Sequence, residues 1–503
     1  MGDAEKGLSP KKGDTPATTA GHREAPLGLI AVLVGNLATI VAGLKSILGG
    51  TDVNLGDLPT PPIYVAVITL ALGYLLIALY LYRKTASAHR SWRKAAIIGA
   101  LVPVLLTAFG ANYALVRIAK ASETRVAETR QQWVQRLWGL QIRGHGRKDY
   151  GGFQSDIQPD AATTVDAWTT AQCLRAILSC DSNAHLHSAQ IRDAFDFIDR
   201  QNKAGQGWET LPESTQSSGA PLPAQHTRTE IAAWVAIAHI ASVASGRIWP
   251  PDRVATEIDK VDRILGSLLA RQDDGTYAWG PTSNPKGANR TYSTAMALWS
   301  LLDAHNTPAI LERLRSKFDN SYDNAAMVAA RWLIRAQRPN IGWNPNPADR
   351  EKHYYLGLTA QVLYVLSRGN TVGALKPYLQ SGTLDQAKLD FIARVSRSKI
   401  EPGATTDVPQ NDRVIEDETL NVNFVAFPWA LAALKSLSED TRLASAKRKQ
   451  AADTLKSLLR QLPEIDTLYD RGLTFELAEH LVGLGLIQST DAAKSLSRTS
   501  SAP

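Results

Sequence analysis

Residues 272–301 read QDDGTYAWGPTSNPKGANRTYSTAMALWSL, and residues 337–366 read QRPNIGWNPNPADREKHYYLGLTAQVLYVL. Each segment opens on a Gln that closes an amphipathic stretch. Each then passes through a loop holding Gly and Trp, and enters an apolar stretch with the pattern Thr-Ala-x-x-Leu-x-x-Leu. Gln272, Gly275 and Trp279 correspond to Gln337, Gly342 and Trp343. Thr294, Ala295, Leu298 and Leu301 correspond to Thr359, Ala360, Leu363 and Leu366. The two Gln and the two Thr are both 65 residues apart. Two features sharing one offset mark a structural repeat.

Looser copies lie on either side. Gln201 leads to Gly207-Trp208, and Gln141 leads to Gly151-Gly152-Phe153, followed by Thr170, Ala171, Leu174 and Ile177. Beyond the two best copies, a helix over 385–397 precedes an apolar stretch from Phe424 to Leu437, and a helix over 444–461 precedes Leu473 to Leu484. The pattern predicts twelve helices in six hairpins. The first helices of the hairpins, such as 188–201, 253–271 and 322–336, carry charge on one face. The second helices, such as 163–179, 290–304 and 353–367, are apolar nearly all round and so belong inside. Six such pairs predict an all-α fold, an outer ring of helices around an inner ring in an (α/α)6 toroid over residues 119–488.

The chain has 503 residues, 44% hydrophobic and 20% charged, with a net charge of +7. This is ordinary globular composition, and the charge excess is too weak to point to nucleic acid. Two cysteines exclude a disulfide scaffold, and Cys173 and Cys180 are too far apart along a helix to pair. Residues 1–25 are polar and predict a disordered tail, as do 489–503. Apolar runs at Leu27–Leu48, Ile63–Tyr82 and Ala95–Val116 predict three transmembrane helices within 26–118. Lys and Arg number four in the tail, none in the first loop and five in the second. That distribution places the toroid on the extracytoplasmic side of the membrane. Arg117, Lys120, Arg125 and Arg130 after the third run pull the other way.

The Gln…Gly-x-Trp element resembles the QW repeat of squalene–hopene cyclases. The stretch from about 126 to 488 resembles the terpene-cyclase and protein-prenyltransferase superfamily. The resemblance implies an α/α toroid, with Gln201, Trp208, Gln272, Trp279, Gln337 and Trp343 serving stability. It also implies an isoprenoid or lipid-linked substrate in the toroid cavity, taken from the lipid bilayer. The superfamily's catalytic residues are not matched. The Asp-x-Asp-Asp acid of the cyclases has no counterpart beyond Glu416-Asp417-Glu418-Thr419, read as the start of an inner helix. The Asp, Cys and His that bind zinc in prenyltransferases are missing, so no metal and no cofactor are expected.

In a closed toroid the N-terminal ends of the inner helices surround one mouth, with free N–H groups that favour anions. Polar residues gather at these positions. Glu230, Asp417 and Glu418 are the acid/base candidates. His226, Arg228, Arg290, Tyr292, His353, Tyr354 and Asn421 are the binding candidates, the arginines for a phosphate or another anion. Asp160, Asp166, Asn423, Tyr469, Asp470 and Arg471 complete the rim. Plainer readings stand beside these. Asp160, Asp417 and Asp470 suit helix caps, and His226 and Glu230 suit an intrahelical pair rather than a metal site. His185 and His187 lie in a loop. Trp168, Trp234, Trp299 and Trp429 suit either the core or a cavity wall.

Two function classes follow. One is an enzyme acting on an isoprenoid or lipid-linked substrate. The alternative is a non-catalytic module that binds a glycan, peptide or partner protein. A glycan-cleaving toroid is a third reading, and it needs two carboxylates about 5–9.5 Å apart across the mouth.

Overall fold

The computed structural model describes residues 124–157, 164–202, 207–208, 228–272, 278–280, 289–318, 321–348, 353–380, 382–398, 400, 405–411, 419–462 and 473–499. The chain divides into two units, Met1–Ala114 and Leu115–Pro503, and every described residue belongs to the second.

The helices alternate between two environments. Outer helices are α1 (124–139), α3 (Ser188–Gln201), α5 (Pro251–Arg271), α8 (Ser321–Ala336), α10 (Gly382–Arg397) and α12 (Ser445–Arg460). Inner helices are α2 (Ala167–Cys180), α4 (Thr229–Ala244), α6 (Thr291–His305), α9 (Leu356–Arg368), α11 (Ala426–Glu439) and α13 (Thr474–Thr499). An extra helix, α7 (Pro308–Phe318), lies between α6 and α8 in the chain. Burial follows the residue pattern. In α3 only Ile191, Ala194, Phe195, Phe197 and Ile198 are buried, one stripe of an amphipathic helix. In α6 every residue from Thr291 to Ala304 is buried.

The inner helices form a circuit. α2 packs on α4, α4 on α6, α6 on α9, α9 on α11, α11 on α13, and α13 returns to α2. A linear solenoid would leave the first and last inner helices apart, so this contact closes the ring. The expected (α/α)6 toroid is the observed fold. One element was not expected, an antiparallel hairpin of β1 (Thr405–Asn411) and β2 (Thr419–Val425), with Val408 opposite Val422. It precedes α11 in the chain, and β2 contacts α9.

The repeat has a hydrogen-bond meaning. The indole N–H of Trp208, Trp279 and Trp343 donates back to the outer helix, to the carbonyls of Ile198 (2.8 Å), Leu268 (2.7 Å) and Leu333 (2.7 Å). The repeated Thr closes the unit from the inner helix. Thr170, Thr294 and Thr359 hydroxyls accept the backbone N–H of Phe153, Trp279 and Trp343 at 3.1, 3.1 and 3.3 Å. Trp279 and Trp343 thus each fasten an outer helix to the inner helix that follows. Gln141 and Gln272 reach further, donating to Gln190 and Ala325 carbonyls on the next outer helix. Gln337 instead stays local, on Arg338.

The loop glycines serve the same unit. Gly151, Gly207 and Gly342 have φ of +92°, +121° and +77°. A Cβ on Gly342 would also overlap the Thr359 hydroxyl. Gly342→Ala therefore combines left-handed strain with a blocked hydrogen bond, and should cost about 1–3 kcal/mol in denaturant unfolding. Gly373→Ala, at a glycine with open space around its Cβ position, is the comparison.

Three expectations change here. No helix among the described residues is long and apolar enough to cross a membrane, so the three transmembrane helices are not supported by the structure. The runs at 27–48, 63–82 and 95–116 lie outside the described residues, as does the tail 1–25. The closing helix α13 runs to Thr499, past the expected boundary at 488. Finally, Thr419 opens strand β2 and the inner helix begins only at Ala426, so the acidic segment 416–418 precedes a strand and not a helix.

Candidate functional site

Alternation of outer and inner helices points all six inner helices the same way, so their N-terminal ends share one mouth. The contacts agree. Thr291, first residue of α6, donates its N–H to the Pro345 carbonyl (3.0 Å) and its hydroxyl to Asn344 (2.5 Å), in the loop before α9. Thr474, first residue of α13, donates to Ser155 in the loop before α2 (2.9 Å).

The mouth has a polar floor. Arg228 and Arg290 directly precede α4 and α6, and occupy equivalent places in successive hairpins. Their N–H groups donate to the carbonyls of Trp208 (2.8 Å) and Trp279 (2.9 Å), the repeat's own aromatics. Both are buried. Glu230 is 1% exposed. Its carboxylate accepts the Ser293 hydroxyl at 2.5 Å, and Arg228 Nε stands 3.6 Å away. Burial lowers the Arg271 guanidinium from its ordinary range, and the charge of Glu230 opposes that. Asp166 caps α2 by accepting the Thr169 N–H (2.7 Å), and also takes the Ser155 and Thr169 hydroxyls.

One helical turn deeper stands an acid that the sequence reading missed. Glu479 of α13 accepts the Gln172 amide (3.0 Å) and the Trp429 indole N–H (2.9 Å). Burial, aided by the charge of Glu476, pushes its carboxyl up to about 8, so it is mainly protonated at pH 7. Tyr292 accepts the Trp234 indole N–H at 3.3 Å, and burial with the nearby Glu479 and Glu230 charges drives its phenol well above the usual range.

Below this layer the axis is filled. Trp299 meets Trp234 and Trp429 edge-on, both at 5.4 Å between ring centres, and Tyr364 at 5.8 Å. The four rings come from α4, α6, α9 and α11 and are 0–4% exposed. At the far end Asp303 of α6 takes Arg368 at 2.7 Å and Arg175 at 3.7 Å.

Of the expected binding residues, Tyr354 and Asn421 stand elsewhere, and His353 stands at the rim. Tyr354 faces away from the axis, with the Arg394 guanidinium of α10 4.2 Å from its ring centre and its edge near Gly342. Asn421 and Asn423 lie on β2, opposite Pro409 and Asp407, and not at a helix start. His353 is exposed and meets the buried Tyr355 ring at 4.6 Å. His187 packs on Trp138. His226, Asp160, Asp417, Glu418, Tyr469, Asp470 and Arg471 lie outside the described residues.

No protein-family model matches the chain. No curated protein matches it either. Solved structures do. An inactive variant of the α-1,6-mannanase GH76A of Salegentibacter sp. HEL1_6, in complex with α-1,6-mannotriose, is 10% identical with a TM-score of 0.46, covering 72% of this chain and 98% of its own. An unsaturated glucuronyl hydrolase specific for heparin is 13% identical at a TM-score of 0.45, covering 73% and 97%. A D-mannose isomerase is 12% identical at 0.47, again covering 73% and 97%. Likeness this distant assigns no activity to the chain.

These sugar-processing proteins are neither terpene cyclases nor prenyltransferases, and they correct the expected isoprenoid function and the membership of that superfamily. The interior gives a physical reason. A prenyl chain needs an open apolar cavity, but Trp234, Trp299, Tyr364 and Trp429 spend their faces on one another. Trp234, Trp299, Tyr364 and Trp429 are core.

Proposed function

We propose that the toroid is a non-hydrolytic glycan-binding module whose ligand sits in the mouth at the N-terminal ends of the inner helices. The observation that carries this reading is the layering of the axis. A rim bearing exposed His353 against Tyr355 lies at the same end as a buried polar layer of Arg228, Glu230, Arg290 and Tyr292, and a buried aromatic layer lies beneath. The exposed His353 imidazole suits a sugar hydroxyl and aromatic rings suit its C–H faces, while the buried Arg228, Glu230 and Arg290 support the rim from below.

Hydrolysis is disfavoured by where the described acids stand. A general acid must reach the leaving oxygen. Glu479 has the raised proton affinity such a role asks for, but it is 6% exposed and clamped between Trp429 and Gln172. Glu230 is committed to Ser293 and Arg228.

The test is a glycan array read with the full chain in mild detergent. Exposed His353 can be replaced without opening the core. His353→Ala should weaken the retained glycans by about tenfold, the worth of one good contact, with an unchanged melting curve. Equal retention by wild type and variant would place the ligand elsewhere. We also propose, from the apolar runs and the Lys/Arg distribution, that the chain is bilayer-bound with its toroid outside the cytoplasm. Incorporation of the full chain into lipid nanodiscs tests the first part.

A further inference from the structure

The outer ring is electrostatically lopsided. On one side α5 carries four acids and four bases, and several of them pair internally. Lys260 pairs with Asp199 (2.7 Å) and Glu257 (2.9 Å), and Asp259 with Arg313 (2.8 Å). On the other side α12 carries Lys447, Arg448, Lys449, Lys456 and Arg460 against the single acid Asp453. Among the described residues none of these five reaches a carboxylate at ion-pair distance. All but Arg448 are exposed. The face continues onto α10, which is joined to α12 through Ser396 and Thr454 (2.8 Å) and adds exposed Arg397, whereas Arg394 turns the other way, to the Asn340 carbonyl and the Tyr354 ring.

The placement of the first three cations works against the helix. Lys447, Arg448 and Lys449 follow an N-cap, Ala444, that makes no side-chain cap, and the first turn holds no acid. Helix starts favour acids, and cations there are destabilising. Among the described residues, neither internal pairing nor helix stability accounts for this cluster.

We propose that the α10–α12 face docks on the anionic headgroups of a phospholipid bilayer. The inference rests on the bilayer placement proposed above. The same chain carries three apolar runs of membrane-spanning length ahead of α1. Polybasic surfaces gather anionic lipid within a Debye length.

The experiment uses the full chain with Ala446→Cys, at an exposed position beside the cluster, carrying a donor dye. The native Cys173 and Cys180 are buried and do not compete for label. The chain is reconstituted into nanodiscs of phosphatidylcholine alone, or with about 30% phosphatidylglycerol, each holding a headgroup acceptor dye. Energy transfer should rise about twofold in the anionic discs, and fall back in about 0.5 M salt. It should not rise when Lys447, Lys449, Lys456 and Arg460 are all changed to Gln. Transfer indifferent to lipid charge, in a chain incorporated into both discs, overturns the docking alone. A rise that survives the fourfold change also overturns it. Failure to incorporate into either disc overturns the bilayer placement and the docking with it.

Discussion

Raising the pH from about 4.5 to 8 should destabilise the folded chain, and Glu479→Gln should remove most of that loss. The folded carboxyl titrates near 8, while an unfolded glutamate titrates near its ordinary value of about 4.3. Below the unfolded value both states hold the proton and the group contributes no penalty. Between the two values only the folded state holds it, so folding takes up a proton and stability falls with each pH unit. The shift corresponds to about 5 kcal/mol across the window, and above pH 8 the loss stops growing. Glutamine has no proton to take up and can still accept from Trp429. Denaturant unfolding of both proteins at pH 5, 6.5 and 8 checks this. Parallel curves for wild type and variant would mean that Glu479 is ionised in the fold, and the sealed layer around it would be wrong.

Trp343→Ala should be the most damaging single change in the repeat, at about 3–5 kcal/mol. The indole is fully buried, its N–H donates to Leu333 at the end of α8, and its backbone N–H donates to Thr359 of α9. Truncation leaves a cavity, removes one of these bonds and loosens a hairpin on which the ring depends. Trp168→Ala, at a half-buried residue on the edge of the core, should cost distinctly less. Equal melting curves for wild type and Trp343→Ala would contradict the structural assignment of the repeat.

The fold was legible because the repeat is a hydrogen-bonding unit. A loop aromatic that must reach back to one helix and forward to the next fixes the spacing from Gln to Trp to Thr. That spacing survives in residues 272–301 and 337–366 as a shared offset. Closure was legible from the all-round apolarity of the inner helices. The β-hairpin was not foreseen, although Thr419–Val425 alternates as TLNVNFV, a period of two and the mark of a strand. The expected helix start at Glu416 obscured it.

Of the candidate site, the sequence made the helix-start positions legible. Arg228, Glu230, Arg290 and Tyr292 gather at the mouth because each sits within two residues of an inner-helix start, a position that sequence can count. Tyr354 misled because adjacent residues at a helix entry point in different directions: Tyr355 is buried while Tyr354 turns to Arg394. Glu479 escaped because its partners, Gln172 and Trp429, are distant in sequence. Its signal was chemical, an acid set among Leu477, Ala478, Leu481 and Val482 in an inner helix.

The central claim is that the mouth binds a glycan and leaves it intact. The direct measurement incubates the full chain with each oligosaccharide retained on the array. Saturation-transfer NMR then follows contact, and chromatography of the same sample follows chain length. Transfer to the sugar ring protons is expected, lost in His353→Ala, with every oligosaccharide recovered at its original length. Shortened products that depend on the protein would contradict it, and so would the absence of transfer to any glycan.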